Sequence, residues 1–187
     1  MRAVPSLFVL PQQIVRFAQD RRGVSAVEFA MLLPLMVTMY LGAVEITQGV
    51  AIDRKVTLTT RTVADLASQV SSITNTDMTN ILNASSSVIA PYDATKLKVT
   101  ISEVDVDASG NAKVAWSDTL NGTARAVGST VTLPTALNIA STSLIWSEVS
   151  YSYKPTIGYV VTGTLQLSDQ IYMRPRLSAC VQRNSAC

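Results

Sequence analysis

The sequence predicts an α+β fold in which one long N-terminal helix, apolar in its first half and amphipathic in its second, packs on a small, mainly antiparallel sheet. Three observations predict it. An uncharged apolar run fills residues 29–44, and a stripe of apolar positions spaced four and three apart follows from Ile52 to Ile73. Beyond that, short segments of period-two alternation are separated by Ser, Thr, Asn and Gly. The first two patterns carry the helical period and the third the strand period.

Size and charge bound the rest. A chain of 187 residues has room for one anchor and one folded domain, because single domains usually take roughly 100–200 residues. The net charge of +2 comes from 15 basic and 13 acidic residues. Four of the basic ones, Arg2, Arg16, Arg21 and Arg22, precede Gly23 and face only Asp20 there. After Gly23 remain 11 basic and 12 acidic residues, so the folded part has no basic surplus and no nucleic-acid partner is expected. The chain has no histidine, which removes the commonest general base and the commonest metal ligand. No enzymatic activity, metal or cofactor is expected.

The apolar run from Phe29 to Val44 has only Thr38 and Tyr40 as polar groups, and Val24–Val27 extends it upstream. A helix from Val24 to Val44 would rise about 32 Å, matching a hydrocarbon core of about 30 Å. Arg21 and Arg22 on its near flank hold the N-terminus in the cytoplasm and send the C-terminal part across. The alternative is a secretory signal peptide, but Glu45, Gln48 and Asp53 follow the run without an Ala-x-Ala site, and the leader is long and partly apolar.

Glu28 is the odd residue, because a carboxylate costs roughly 2.5–3.5 kcal/mol at the centre of a bilayer. Were the chain cut after Gly23, Val24 would carry an ammonium four positions from Glu28, on the same helix face. In a bundle of such helices the amine of one copy could neutralise Glu28 of its neighbour. The plainer alternative leaves Glu28 in the headgroup region, where the helix macrodipole favours it.

Arg21-Arg22-Gly23-Val24-Ser25-Ala26-Val27-Glu28-Phe29 resembles the prepilin processing motif of type IV pilins: a basic pair, a glycine, then glutamate at the fifth mature position and an aromatic after it. Over residues 21 to about 70, with Leu33-Pro34 inside the apolar run and Gly42-Ala43-Val44-Glu45 at its end, the chain is similar to the TadE/TadG-like family, pseudopilins or minor pilins of the tight-adherence (Flp) pilus system. The resemblance implies a type IV pilin-like fold, cleavage after Gly23 by a prepilin peptidase, a new N-terminus at Val24, and a role for Glu28 and Phe29 in assembly. It also suggests that Pro34 is a flexible point used on leaving the bilayer; the alternative is a tolerated kink.

Past the bilayer the stripe Ile52, Val56, Thr59, Val63, Leu66, Val70 and Ile73 is broken only by Thr59. The helix is expected to run to about Ser72, with Asp53, Arg54, Lys55, Arg61 and Asp65 off the stripe and the stripe packed on the chain's own C-terminal domain. The organisation expected is a cleaved cytoplasmic leader (1–23), a helix (24–72) spanning the membrane at about 24–46, and a periplasmic domain (73–187).

In that domain a Ser/Thr/Asn-rich connector holds one short helix around Asp77–Leu82. Leu97–Ile101 alternates, and Val104 and Val106 resume after a one-residue phase shift that suggests a bulge. Val114–Trp116 closes a hairpin across Asp107–Asn111. Further strands are expected at Thr130–Leu133, Ile145–Tyr153, Tyr159–Val161 and Thr164–Met173. Asp105-x-Asp107-x-Ser109-Gly110 opens like a calcium loop, but Trp116 stands where the bidentate glutamate belongs, so a solvated turn is the better reading. Arg174 and Arg176 are exposed at a strand end, or contact partners or lipid headgroups. Cys180 and Cys187 enclose six residues, and a disulfide is expected to tie down the terminus in an oxidising compartment; without Cys-x-x-Cys spacing a redox site is disfavoured.

The functional expectation is a minor pilin whose partners are the prepilin peptidase, the inner-membrane pilus platform, the major pilin and other minor pilins, and membrane lipid. A pseudopilin of a type II secretion system and a membrane-tethered periplasmic binding module are the alternatives.

Overall fold

A computed structural model describes residues 22–155, 158 and 162–184. Its first element is an unbroken helix, α1 (Arg22–Ser68), with Pro34 inside it. The second half of α1 buries Ile52, Val56, Thr59 and Val63 as the stripe requires. Thr59 does not interrupt packing, because its hydroxyl donates to the Lys55 carbonyl at 2.8 Å and enters the core already satisfied. Farther along, the seam moves to Ala64 and Ala67, while Leu66 turns outward. A straight helix drifts about 20° per heptad from a 3.5-residue repeat, so a stripe with heptad spacing cannot keep one face inward over its whole length.

α1 stops at Ser68 rather than Ser72. Beyond it the chain meets the C-terminal segment: Ser72–Ile73 (β1) pairs in parallel with Gln182–Arg183 (β7), and the Gln182 amide donates to the Ser71 carbonyl. The next helix, α2 (Asn75–Ile89), is longer than the turn expected at Asp77–Leu82. Thr74 caps it, accepting from the Asp77 amide while the Asp77 carboxylate accepts from the Thr74 amide. These hydrogen bonds from Thr74 hold the Asp77 carboxyl below its usual range. Met78, Ile81, Ser85 and Ile89 form its buried face, so the Ser-rich stretch that reads as a connector is helix pinned by packing.

Five antiparallel strands follow: β2 (Leu97–Val106), β3 (Ala112–Leu120), β4 (Thr130–Val131), β5 (Thr142–Tyr153) and β6 (Leu165–Met173), ordered β4-β3-β2-β5-β6. The expected strand Tyr159–Val161 lies outside the described residues. The bulge expected in β2 belongs to β3. β2 pairs without a break along β5, from Leu97↔Tyr151 to Val106↔Thr142. Against β3 the register slips between Glu103↔Trp116 and Val104↔Val114, leaving Ala115 unopposed.

The phase shift in β2 marks a change of apolar face. Leu97, Val99 and Ile101 look toward the helices, into a core with Ile52, Val56, Val63, Ile81, Ile89, Val149 and Tyr151. Val104 and Val106 belong to a second cluster with Leu133, Leu144 and Trp146. The turn at Asp107–Asn111 is a loop as expected: the Asp107 carboxylate accepts from the Ser109 and Asn111 amides at 2.8 and 2.9 Å, and Gly110 sits at φ +82°, a region glycine enters freely.

Candidate functional site

Of the residues singled out for processing and assembly, Arg21 lies outside the described residues and Arg22 opens α1. Gly23, Val24, Glu28, Phe29 and Pro34 fall on the first three to four turns of α1 and are all exposed. Val24 and Glu28 are one turn apart on the same face. Among the described residues no side chain pairs with Glu28. Pro34 cannot donate an amide to Ala30, yet the helix continues, and the Thr38 hydroxyl donates to the Pro34 carbonyl at 2.8 Å. Met31 is 77% exposed and Met39 69%, on a segment whose apolar character suits a membrane-spanning helix. Such a surface is not stable in water.

Burial begins where the apolar run ends. Gly42 and Glu45 are buried, the Tyr153 hydroxyl donates to the Glu45 backbone carbonyl at 3.3 Å, and the Tyr153 ring lies against Gly49. Burial, and then the nearby Glu45 carboxylate, push the Tyr153 hydroxyl above its usual range. This joint fixes the sheet to α1 immediately after its exposed half. Glu45 reads in the sequence only as the end of the apolar run; its place between two glycines one turn either side was the available signal.

A second buried cluster holds the C-terminal segment. β6 ends at Met173, and the Arg176 amide then donates to the Ser68 carbonyl at 2.9 Å while its guanidinium pairs with Asp65. Arg176 therefore has an intramolecular partner, whereas Arg174 is exposed. Farther on, Glu103 accepts from the Val181 amide at 2.8 Å and from the Trp116 indole N–H at 2.6 Å. Glu103 is fully buried, and burial pushes its carboxyl up to about 7. Arg183 grips Asp118 with two hydrogen bonds of 2.8 and 3.1 Å and reaches Asn75 at 2.7 Å. Sequence reasoning missed Glu103, Asp118 and Arg183. For Glu103 a signal existed, since it occupies the core-facing phase of β2 after Leu97, Val99 and Ile101. Cys180 lies on this segment, but Cys187, its expected partner, is outside the described residues.

On the face of the sheet away from the helices, Arg125 meets Glu148 at 2.8 and 2.7 Å and lies 3.8 Å over the Trp146 ring, which stacks on Tyr172. Beside them is an open polar groove of about 840 Å³ lined by Lys98, Thr100, Arg125, Glu148, Ser150 and Gln170. Among the described residues no group of three His, Cys, Asp or Glu side chains could hold a metal.

The molecule thus carries its unusual chemistry on one helix, apolar and unpartnered at one end and tied to a sheet at the other. Residues 23–65 match the family model of TadE-like proteins. The TadE-like segment begins at the glycine before Val24 and ends within one turn of the C-terminus of α1, so it is this helix and not the sheet. No curated protein and no solved structure gives a significant match.

Proposed function

We propose that the chain is a minor pilin, or pseudopilin, needed to assemble or initiate tight-adherence type IV pili. A prepilin peptidase cleaves it after Gly23. The helix from Val24 then holds it in the inner membrane, with the sheet domain in the periplasm and Cys180 paired with Cys187, until it enters the filament. Its work is assembly rather than catalysis: Glu28 and the new ammonium of Val24 set register among neighbouring helices through charge pairing in an apolar bundle.

One observation carries this reading. The TadE-like segment is a continuous helix whose first half is exposed on all sides and bears Glu28 one turn from the proposed new N-terminus. A soluble protein would bury such a surface, and among the described residues no side chain pairs with Glu28. The test is N-terminal sequencing of the protein from cells with and without the prepilin peptidase. The expected result is Val24 at the N-terminus only when the peptidase is present; an unchanged N-terminus in both overturns processing.

A second reading, a membrane-tethered periplasmic binding module, is favoured by the polar groove around Arg125 and Glu148. Normal piliation in a strain lacking the gene would select it.

A further inference from the structure

The strands run along the axis of α1. At one end Tyr153 touches Glu45 and Gly49. At the other, Met173 pairs with Ile145 and Arg176 bonds to Ser68. From Gly49 to Ser68 the helix rises about 29 Å, and from Tyr153 to Ile145 the strand covers about 26 Å. Comparable lengths, with one contact at Tyr153 and the other at Arg176 three residues past Met173, place β5 and β6 beside the helix rather than across it. The end carrying Tyr153 and Lys154 is therefore nearest the apolar half of α1, and the Asp107–Asn111 hairpin is farthest from it.

Burial starts at Gly42 with no intervening linker. Gly23 to Leu41 rises about 27–29 Å, enough to fill the hydrocarbon core, and the headgroup layer outside it is about 5–8 Å thick. Along the helix, Glu45 stands about 5 Å beyond Gly42 and Gly49 about 10 Å, so the joint with Tyr153 lies at headgroup height. Lys154, exposed, follows Tyr153 directly.

Charge points the same way. Lys96 is exposed and precedes Leu97, which pairs with Tyr151. Because β2 and β5 are antiparallel, that places it about 3–7 Å farther out than Tyr153, within about one Debye length of the headgroups. Asp93 approaches Lys96 at only 4.0 Å. The near end thus presents Lys96 and Lys154 against Asp93, whereas at the far end Asp105 and Asp107 are balanced by Lys113 and the exposed Arg174, and Arg176 is paired with Asp65.

We propose that the near end of the sheet docks on the membrane surface, with Lys154 and Lys96 contacting anionic lipid headgroups. This rests on the membrane-anchored reading above. It means that the domain lies on the bilayer from which the helix must be withdrawn, so extraction has to strip lipid contacts from the sheet as well as from α1.

The test uses the full chain in lipid nanodiscs, with Cys180 and Cys187 replaced by serine and one fluorophore attached at Leu165→Cys, beside Tyr153, or at Ser109→Cys in the far hairpin. Lipids carrying a headgroup nitroxide report proximity. Quenching is expected to be several-fold stronger at position 165, to increase when anionic lipid replaces zwitterionic lipid, and to fall in the Lys96→Glu/Lys154→Glu double variant. Equal quenching at the two positions, in discs that retain the protein, overturns docking while leaving the anchor intact. Quenching that is stronger at 165 but indifferent to anionic lipid and to the double variant overturns the headgroup contact. Failure to enter discs at all counts against the anchor itself. Should the serine background not fold, a genetically encoded fluorophore at the same two positions in the native chain gives the same comparison.

Discussion

The two halves of α1 share one backbone and one family match but meet opposite surroundings. From Gly23 to Leu41 the helix is apolar around its circumference apart from Glu28 and almost wholly exposed; from Gly42 to Ser68 it is amphipathic, and Ile52, Val56, Val63 and Ala67 are almost wholly buried. The more hydrophobic half is the one the fold leaves bare. Mean apolarity therefore does not decide what a helix packs on; the pattern does. A one-sided stripe fits a sheet, whereas an all-round apolar cylinder needs a surrounding that is apolar all round, namely lipid or other helices.

Four substitutions can break or sharpen that contrast. The largest effect is expected from Glu28→Ala in the bare half: the protein stays cleaved and membrane-bound, yet piliation is lost or falls many-fold. Pilus counts by electron microscopy at wild-type levels would remove the proposed role of Glu28.

Next comes a matched pair. Ile52→Ala should cost about 2–5 kcal/mol of domain stability, as expected for a buried isoleucine truncated to a methyl group. Met39→Ala, in the bare half, should leave the melting temperature of the domain unchanged. Equal melting temperatures for the two variants, measured in detergent, would show that the two halves do not differ in their contribution to the fold.

The smallest effect concerns pH. Glu103 has its folded value near 7, above its ordinary 4.5, so the native state binds its proton more tightly than the unfolded chain. The resulting stability is fully present below about pH 4.5 and is lost as pH rises through 7, a change on the order of 3 kcal/mol. Glu103→Gln should flatten that slope between pH 5 and 8 in denaturant titrations while keeping the fold. Asp77, Asp93 and Asp107, held low by local hydrogen bonds, titrate below this window and leave it clear.

Much of the fold is legible in single residues and their spacing, because helix and strand periods are local. The apolar run, the stripe through Val63, the turn at Asp107–Gly110 and the strands at Ile145–Tyr153 and Thr164–Met173 each reflect a period or a backbone requirement that a few neighbours decide. What was misread depends on partners distant in the chain. Ser85 to Ser87 are helical because Ile81 and Ile89 find a core. α1 ends early because β7, more than a hundred residues later, takes up β1. The bulge sits at Ala115 because β2 has two partners and can stay in register with only one of them.

The candidate site divides in the same way. The sequence alone determined the apolar helix, its glutamate and the glycine before Val24, since the polarity of an unpartnered segment depends on nothing but its own residues. Only the tertiary structure decided that Tyr153 closes over Gly49, that Glu103 clasps the C-terminal segment from inside the core, and that the end of the sheet carrying Tyr153 and Lys154 points toward the apolar half of α1. Those are facts about which surfaces meet, and a buried charge or a shared end is set by chain folding over distances that no local pattern encodes.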